Sequence, residues 1–301
     1  MANNESEKYA HLSAETRKVV ELPDDERIEY IRGPLWIGYP AAQKALKKLE
    51  TLLAHPKKDR MPNLLLVGDT NNGKTSIINR FQRKHPGYTD EATGRVVMPV
   101  FTIQVPPVPD EVRFYNTILE KLLAPYKDRE RADKKLFQVA KILERLQTRL
   151  MVLDEIQHII AGNLSRQRQF LNSIKYLSNE LKISLVGVGT GDAFNAITTD
   201  PQLSNRFEPL VLPRWKADDD FLQLLASFEY LTPLKKPSGL ADDHALSEKI
   251  LSSSEGYIGE ISSVLTEAAV VAVEKKEERI TLKILNGIDY FSPSQRKKRR
   301  L

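Results

Sequence analysis

The segment at residues 68–75 restricts the possible folds of this chain more than any other feature. It reads Gly-Asp-Thr-Asn-Asn-Gly-Lys-Thr and directly follows the apolar run at residues 64–67. Glycines at both ends let the backbone wrap around an anion without a clashing Cβ, so that its N–H groups and the start of the next helix face a phosphate. This spacing is that of a Walker A loop. It predicts a strand, a phosphate-binding loop and a helix, in that order.

The residues of this loop have distinct expected roles. We expect Lys74 to reach the β- and γ-phosphates of a nucleotide and the Thr75 hydroxyl to hold Mg²⁺. The alternative is a glycine-containing turn between strand and helix without a ligand, which the complete spacing and the strand before it disfavour. The remaining expected nucleotide-binding positions are Gly68, Asp69, Thr70, Asn71, Asn72, Gly73 and Ser76.

Length and composition favour a cytoplasmic protein with more than one compact part. The chain has 301 residues, which exceeds the ~100–200 of a typical domain. It contains no cysteine, which excludes disulfides, thiolate zinc sites and thiol nucleophiles. The histidines show no metal-ligand spacing. The apolar runs fall short of the ~20 residues of a membrane helix, and no secretory signal is visible, so we expect no membrane partner.

The distribution of apolar runs divides the chain into four expected parts. Residues 1–33 form an acidic arm, and residues 34–213 alternate strand-like runs with amphipathic stretches, which predicts a parallel sheet with helices on both faces. The next part, residues 214–290, has only helical patterns, which is typical of a small lid. A basic tail at residues 291–301 supplies five cations, equal to the whole net charge of +5. The predicted strands lie at residues 64–67, 97–105, 150–153, 183–188 and 209–212.

Two carboxylates end the third predicted strand. Residues 150–155 read Leu-Met-Val-Leu-Asp-Glu, and the carboxyl ends of strands are where an open α/β sheet presents its ligands. We expect Asp154 to organise the shell of a Mg²⁺ ion and Glu155 to polarise the attacking water. An apolar run followed by Asp-Glu is common, so the prediction depends on its position after the Walker A loop. The following Glu favours hydrolysis of a nucleoside triphosphate over phosphorylation of a small molecule.

Two later residues are candidates for contacts with the γ-phosphate. Thr190 follows the strand-like run at residues 183–188. It contacts the γ-phosphate or the lytic water, caps the helix expected near Asp192, or does both in succession. Arg206 precedes the last predicted strand and is not expected to reach the nucleotide of its own chain. In a head-to-tail assembly it acts in trans as an arginine finger. The alternative for Arg206 is a surface salt bridge, for example with Glu208.

Taken in order, these motifs resemble those of an AAA+ ATPase over residues 34–290. Within that superfamily, four segments are similar to the TniB/TnsC group of ATP-dependent DNA transposition regulators. These are Pro-Leu-Trp-Ile-Gly-Tyr-Pro at residues 34–40, Asp-Glu-Ile-Gln-His at 154–158, Val-Gly-Val-Gly-Thr at 186–190 and Glu-Gly-Tyr-Ile-Gly-Glu at 255–260. The resemblance implies a P-loop NTPase core, a parallel sheet between helices, followed by a small helical lid domain.

The resemblance also implies how the protein works. Similar proteins bind ATP and Mg²⁺ between neighbouring subunits and assemble into rings or filaments on duplex DNA without sequence preference. They recruit a transposase together with a target-selection protein, and they carry no transposase chemistry themselves. By the same resemblance, Trp36, Ile37 and Tyr39 lie near the adenine, although aromatic residues there fit an ordinary core equally well.

Two departures from the family pattern affect the lid and the DNA contacts. Many AAA+ lids carry a sensor arginine after the glycine that opens a lid helix, but Glu260 follows Gly259 here. The DNA-facing loops are weakly marked, and solvated charge is the alternative for each candidate cation. The candidates are Arg113, Lys127, Arg166 and Arg168.

Two other functions are compatible with these motifs. The first is another AAA+ DNA machine, such as a replication initiator or helicase loader. The second is a nucleotide-switched scaffold in which DNA plays no part, because fold-level similarity does not determine function.

Overall fold

The computed structural model describes residues 8–198 and 200–298 in two compact units. One unit is the α/β segment Pro40–Leu212. The other combines residues 8–39 with the described residues from Pro213 onward. This grouping differs from the four predicted parts, because the N-terminal segment belongs to the helical unit and is not a separate arm.

The described residues form helices and strands with the following bounds. In chain order they are α1 (Ala14–Val19), α2 (Asp24–Arg32), α3 (Pro40–Ala54), β1 (Asn63–Val67), α4 (Lys74–Lys84), β2 (Tyr88–Thr89), β3 (Val96–Val97), β4 (Val100–Gln104), α5 (Glu111–Lys121), α6 (Ala132–Arg145), β5 (Leu150–Asp154), a 3₁₀ helix (Ile156–Ala161), α7 (Leu164–Leu181), β6 (Ser184–Gly189), α8 (Ala193–Thr198), α9 (Pro201–Ser204), β7 (Phe207–Val211), α10 (Asp219–Leu231), α11 (His244–Ser254), α12 (Ile258–Glu274), α13 (Leu282–Gly287) and α14 (Pro293–Lys298).

The α/β unit is built on a five-stranded parallel sheet in the order β4-β5-β6-β1-β7. All residues of β1 and β6 are buried, as expected for strands covered by helices on both faces. The fold class predicted from the alternating pattern is therefore confirmed. Because β6 lies between β1 and β5, the loops that follow these three strands are neighbours at the carboxyl edge of the sheet.

The strand predicted at residues 97–105 is interrupted in the structure. Val96–Val97 pairs with Tyr88–Thr89 in a two-stranded antiparallel hairpin, and only Val100–Gln104 joins the main sheet. Pro99 lies between the two segments and has no N–H to donate to a ladder. Its carbonyl oxygen instead accepts the N–H groups of Arg149 and Leu150. The proline therefore marks the change from hairpin to sheet.

The helical unit has a core of its own, to which the N-terminal helices are attached by a buried ion pair. The Arg27 side chain on α2 is fully buried, and its guanidinium donates to both Glu278 carboxylate oxygens at 2.8 Å. A second guanidinium contact reaches Asp24 at 2.7 Å. Such a bidentate contact between buried charges fixes the geometry. Some of the charged residues that favoured a solvated arm therefore hold the N-terminal helices on the helical unit.

The basic C-terminal segment also differs from the expected tail. Its described part forms α14, and Ser294 donates from its N–H and its hydroxyl to Glu255 at 2.8 and 2.9 Å. Arg296 pairs with the buried Glu260 carboxylate. The last three residues of the predicted tail, 299–301, lie outside the described residues. Within the described ranges, no helix has the length and apolar character needed to cross a bilayer.

Candidate nucleotide-binding site

The loop between β1 and α4 has the backbone shape that its glycines predict. Gly73 has a φ of 80° and Asn71 a φ of 61°, both in the left-handed region. Asn72 is buried, and its side-chain amide donates to the Leu212 carbonyl at 2.8 Å. At Gly68, an added Cβ would lie 3.2 Å from the Leu212 Cβ. The loop is therefore held against the strand beside it, with α4 starting at its end.

Lys74 lies inside this loop. Its ammonium group donates to the carbonyl oxygens of Gly68 and Asp69, each at 2.8 Å, and only 8% of the residue is exposed. Burial lowers the pKa of Lys74, opposed by the carboxylates of Glu155, Asp154 and Asp69. A buried cation held by neutral carbonyls is a site for an anion. This position is where a Walker A lysine binds the phosphates of a nucleotide.

Thr75 and Asp154 are adjacent across the site. The Thr75 side chain is near enough to the Asp154 carboxyl group to act against the rise in its pKa, although the two residues are 79 positions apart in sequence. Burial raises the pKa of Asp154, with the neighbouring Glu155 charge adding to the effect. Hydroxyl and carboxylate oxygens are the ligands that Mg²⁺ prefers. A bound cation would relieve the buried carboxylate of its desolvation penalty, so the residues fit the metal that the sequence predicts.

Glu155 has a backbone conformation that is unusual for a residue other than glycine. Its φ and ψ are 56° and 40°, in the left-handed region. Its N–H donates to the Asp154 carboxylate at 3.0 Å. Such conformations cost on the order of 1–3 kcal/mol and persist where the surrounding structure demands them. The turn directs the end of β5 into the 3₁₀ helix at the carboxyl edge.

Gln157 connects two of the predicted site residues and was not among them. Its side-chain nitrogen donates to the Glu155 carboxylate, and its side-chain oxygen accepts the Thr190 N–H at 3.2 Å. A Cβ at Gly189 would lie 2.3 Å from that oxygen, so glycine is required there for the amide to reach Thr190. The Asp-Glu-x-Gln spacing was the only signal of Gln157 in the sequence.

Thr190 stands between the phosphate loop and the carboxylates, since β6 separates β1 from β5. Its carbonyl oxygen accepts the Ala193 N–H at 2.9 Å, at the start of α8. The backbone of Thr190 thus takes part in the turn at the start of α8, while its place at the edge suits a γ-phosphate sensor. The alternative, a helix cap by the Thr190 side chain, stays a prediction. The sensing role stays a prediction.

Arg206 lies at the opposite edge of the sheet. Phe207 begins β7 opposite Asn63, and β7 runs parallel to β1, so five residues of strand, about 16 Å, separate Arg206 from the phosphate loop. Its guanidinium donates to the Asn179 side chain at 2.8 Å. Glu208, the salt-bridge partner considered for Arg206, pairs with Lys48. Arg206 is therefore not placed to serve its own loop, and its role in trans stays a prediction.

The predicted adenine contacts belong to the helical unit. Ile37 and Tyr39 pack against its core, and the Tyr39 ring meets the Trp215 ring edge-on at a centroid distance of 5.2 Å. Burial raises the pKa of Tyr39 to about 12. Trp36 is half-buried. These contacts support the core alternative for Ile37 and Tyr39, and contact with adenine stays a prediction for all three.

The four DNA candidates are exposed, and three of them lie on neighbouring segments. Arg113 is in the first turn of α5, and Arg166 and Arg168 are in the first turns of α7. The loops before these helices touch, since a Cβ at Gly162 would lie 2.5 Å from the Pro109 side chain. Lys127 lies apart, between α5 and α6. DNA contact by any of them stays a prediction.

Glu260, at the position where many AAA+ lids carry an arginine, binds a cation from the C-terminal helix. Its carboxylate accepts from the Tyr290 hydroxyl and from Arg296. Burial, and then the Glu260 hydrogen bond, raise the pKa of Tyr290. The Arg296 guanidinium lies 5.8 Å from the centre of the Tyr290 ring. The helical unit thus has an arginine beside α12, supplied by α14.

The sequence matches one described protein family. A profile described as "Bacterial TniB protein" matches residues 27–217. Comparison with curated proteins gives no match.

Solved structures share the fold at low sequence identity. The ORC1 protein of Aeropyrum pernix in complex with DNA aligns with a TM-score of 0.54 and 18% identity, covering 90% of this chain and 69% of that one. The ORC2 protein of Aeropyrum pernix aligns at 0.59 and 15%, covering 85% and 70%. Cdc6p of Pyrobaculum aerophilum aligns at 0.56 and 16%, covering 86% and 68%. These neighbours share the predicted fold, a parallel sheet between helices followed by a helical C-terminal region.

Proposed function

Because the chain belongs to the TniB family, we propose that it is an ATP-dependent regulator of DNA transposition. In this function it oligomerises on duplex DNA with ATP and connects a target-selection protein to a transposase. Hydrolysis of ATP releases or remodels the assembly. The protein acts in the cytoplasm, and it supplies no transposase chemistry of its own.

The observation that carries this proposal is the meeting of three loops at one edge of the sheet. Lys74, the Thr75–Asp154 pair and the Glu155–Gln157–Thr190 chain come from three separate strand ends. A mononucleotide-binding site at the carboxyl ends of parallel strands has this arrangement.

Each residue has one role in the proposed reaction. Lys74 binds the β- and γ-phosphates, and Thr75 and Asp154 hold Mg²⁺, which neutralises phosphate charge when bound. Glu155 orients the attacking water and accepts its proton. Thr190 senses the γ-phosphate, and Arg206 completes the site of a neighbouring copy, where its fixed charge stabilises the transition state.

A second candidate is a replication initiator or helicase loader. The structural likeness to the ORC1 and Cdc6p proteins favours it. That likeness is below 20% identity and describes the fold, whereas the TniB profile matches the sequence itself. Transposition is therefore the function that we place first.

The test is binding to random-sequence duplex DNA with ATP, with ADP and without nucleotide, followed by electron microscopy. We expect ordered rings or filaments with ATP only, weakened by salt because phosphate contacts dominate such binding. Lys74→Ala is the control that removes nucleotide binding. Strong preference for one sequence would favour the initiator. Assembly that ignores DNA, or no DNA binding at low salt, would favour a nucleotide-switched scaffold.

A further inference from the structure

Two adjoining clefts lie at the amino edge of the sheet, away from the phosphate loop. One, of about 490 Å³, is bounded by α3 and the starts of β1 and β7. The other, of about 440 Å³, lies beside the segment that leads into β1. Arg206 lines both clefts. We call the two together the amino-edge cleft. Its charged lining residues are Lys44, Lys47, Lys48, Lys58, Arg60, Arg206 and Glu208.

The amino-edge cleft carries a large excess of positive charge. Its one carboxylate, Glu208, is already paired with Lys48. Arg206 is held by the neutral amide of Asn179 and keeps its charge unbalanced. Lys58 and Arg60 are exposed, and within residues 8–198 and 200–298 the structure gives them no ion-pair partner. A concave surface lined by cations concentrates anions.

The carboxyl edge of the same unit has the opposite charge. Residues 68–74, 154–158 and 190–192 contribute the carboxylates Asp69, Asp154, Glu155 and Asp192, against one ammonium group, Lys74. A bound nucleotide would add further negative charge there. Five residues of strand, about 16 Å, separate the two edges, so one copy cannot bring them together. Two copies packed head to tail can, which is the contact that builds rings and helical filaments.

In the head-to-tail assembly of the proposed function, the amino-edge cleft with Arg206 faces the carboxyl edge of a second copy. We propose that Lys58 and Arg60 join Arg206 there in binding the phosphates of the second copy's nucleotide. The inference rests on the proposed function and adds two residues to its site. Both precede β1 by a few positions, in the segment that shares its cleft with Arg206.

The size and shape of the cleft favour a nucleotide's phosphates over a duplex. The part that Lys58, Arg60 and Arg206 line has a volume of about 440 Å³, in the range of small-ligand sites, about 300–1,000 Å³. A DNA duplex instead requires cations spread along an accessible stripe that follows its backbone. Duplex binding at this cleft is therefore an outcome for the experiment to exclude.

The experiment compares Arg60→Ala, the double variant Lys58→Ala/Arg60→Ala and Arg206→Ala with the wild type. Arg129→Ala is the matched control, because Arg129 is an exposed arginine that lines neither cleft. Four quantities are measured: ATP turnover, ATP-dependent self-association by analytical ultracentrifugation, binding to a random-sequence DNA duplex, and nucleotide affinity at a dilution where copies are separate. Turnover is then measured again after mixing each variant with Lys74→Ala.

We expect Arg60→Ala to lower turnover by about tenfold or more, as the loss of one preorganised contact to transition-state charge does. Self-association should weaken, and the nucleotide affinity of separated copies should stay unchanged. Mixing with Lys74→Ala should restore part of the turnover. In mixed contacts the Lys74→Ala copy supplies an intact amino-edge cleft, and the cleft variant supplies an intact phosphate loop. Arg129→Ala should match the wild type.

Four results would overturn the inference. Wild-type turnover and association in both cleft variants would remove Lys58 and Arg60 from the site while leaving the proposed function in place. A loss that mixing does not repair would mean that the residues act within one copy. Loss of duplex binding with normal turnover would make the cleft a DNA site. A wild type that neither binds ATP nor self-associates would overturn the proposed function together with the inference.

Discussion

Gln157 donates a hydrogen bond from its side-chain nitrogen to the carboxylate of Glu155. The oxygen of the same amide accepts the Thr190 N–H at 3.2 Å. One side chain therefore ties the predicted base to the backbone of the predicted γ-phosphate sensor. A carboxylate held this way is less available to a water molecule, so a change at Thr190 can be transmitted to Glu155 through one amide.

Gln157→Ala should raise basal ATP turnover. Removing the amide frees the Glu155 carboxylate of a hydrogen bond worth roughly 1.5–3 kcal/mol, which corresponds to a rise in kcat of roughly 10- to 150-fold. Nucleotide affinity should stay constant, because Lys74 and the phosphate loop are unchanged. Steady-state kinetics with a separate measurement of affinity checks this. A fall in kcat would mean that the amide orients Glu155 for catalysis and does not restrain it.

Gly189→Ala should act in the same direction through a different residue. Its new Cβ would lie 2.3 Å from the Gln157 oxygen and 3.0 Å from the Ala193 Cβ, so the amide must leave Thr190. Gly191→Ala is the matched control, since its Cβ would have no neighbour within 4 Å. Turnover measured beside thermal unfolding separates the two effects. Equal turnover in Gly189→Ala and Gly191→Ala would mean that the Gln157 amide does not control the rate of ATP turnover.

Arg206→Ala should abolish hydrolysis without preventing nucleotide binding. An arginine finger contributes about 10³-fold or more to kcat, and the position of Arg206 at the amino edge puts its own phosphate loop out of reach. Mixing with Lys74→Ala should return part of the activity, because each variant supplies the half-site that the other lacks. No recovery at any mixing ratio would contradict a site completed in trans.

Arg27→Ala should destabilise the helical unit by about 3–5 kcal/mol, since it leaves the Glu278 carboxylate buried without its partner. Burial acts to raise the pKa of Glu278, but hydrogen bonds from Arg27 and the Lys235 N–H outweigh it and lower that pKa below its ordinary value of 4.5. A lowered carboxyl pKa stabilises the fold above the unfolded pKa, and this stabilisation disappears as pH falls through the folded value.

Chemical denaturation from pH 7 down to pH 3 tests this dependence. In the wild type, the free energy of unfolding should fall as the pH drops below about 4.5, in the range where unfolded glutamate takes up a proton. Arg27→Ala should show a weaker fall, because its Glu278 is no longer held in the charged form. Lys18→Ala serves as the control, since Lys18 lies on α1 outside this ion pair. Parallel pH curves for the wild type and Arg27→Ala would contradict the role of the pair.

The sequence predicted the elements whose signals are local. The phosphate loop, the strand before it and the Asp154 turn all follow from short patterns of apolar residues and glycines, and each element appears near its predicted position. Pro99 divided one predicted strand in two because a proline cannot donate to a ladder. The proline that causes this interruption is visible in the sequence.

The contacts that the sequence could not predict join residues that are far apart. Arg27 meets Glu278 across 251 positions, and Arg296 binds Glu260 on an earlier helix. From the sequence alone, both arginines look like solvent-exposed charges, Arg27 on an N-terminal arm and Arg296 on a C-terminal tail. Gln157 has a local position, but its role depends on the order of strands, which places Thr190 beside it. Long-range pairing and strand order are properties of the folded chain.

Binding and turnover of ATP in Glu155→Gln, beside the wild type and Lys74→Ala, test the nucleotide site most directly. Titration calorimetry should give Glu155→Gln the wild-type affinity for Mg-ATP, because Lys74, Thr75 and Asp154 are intact, while a phosphate-release assay should find no turnover. Lys74→Ala should lose the binding itself. Unchanged turnover in Glu155→Gln, or undiminished ATP affinity in Lys74→Ala, would contradict the roles assigned to these residues.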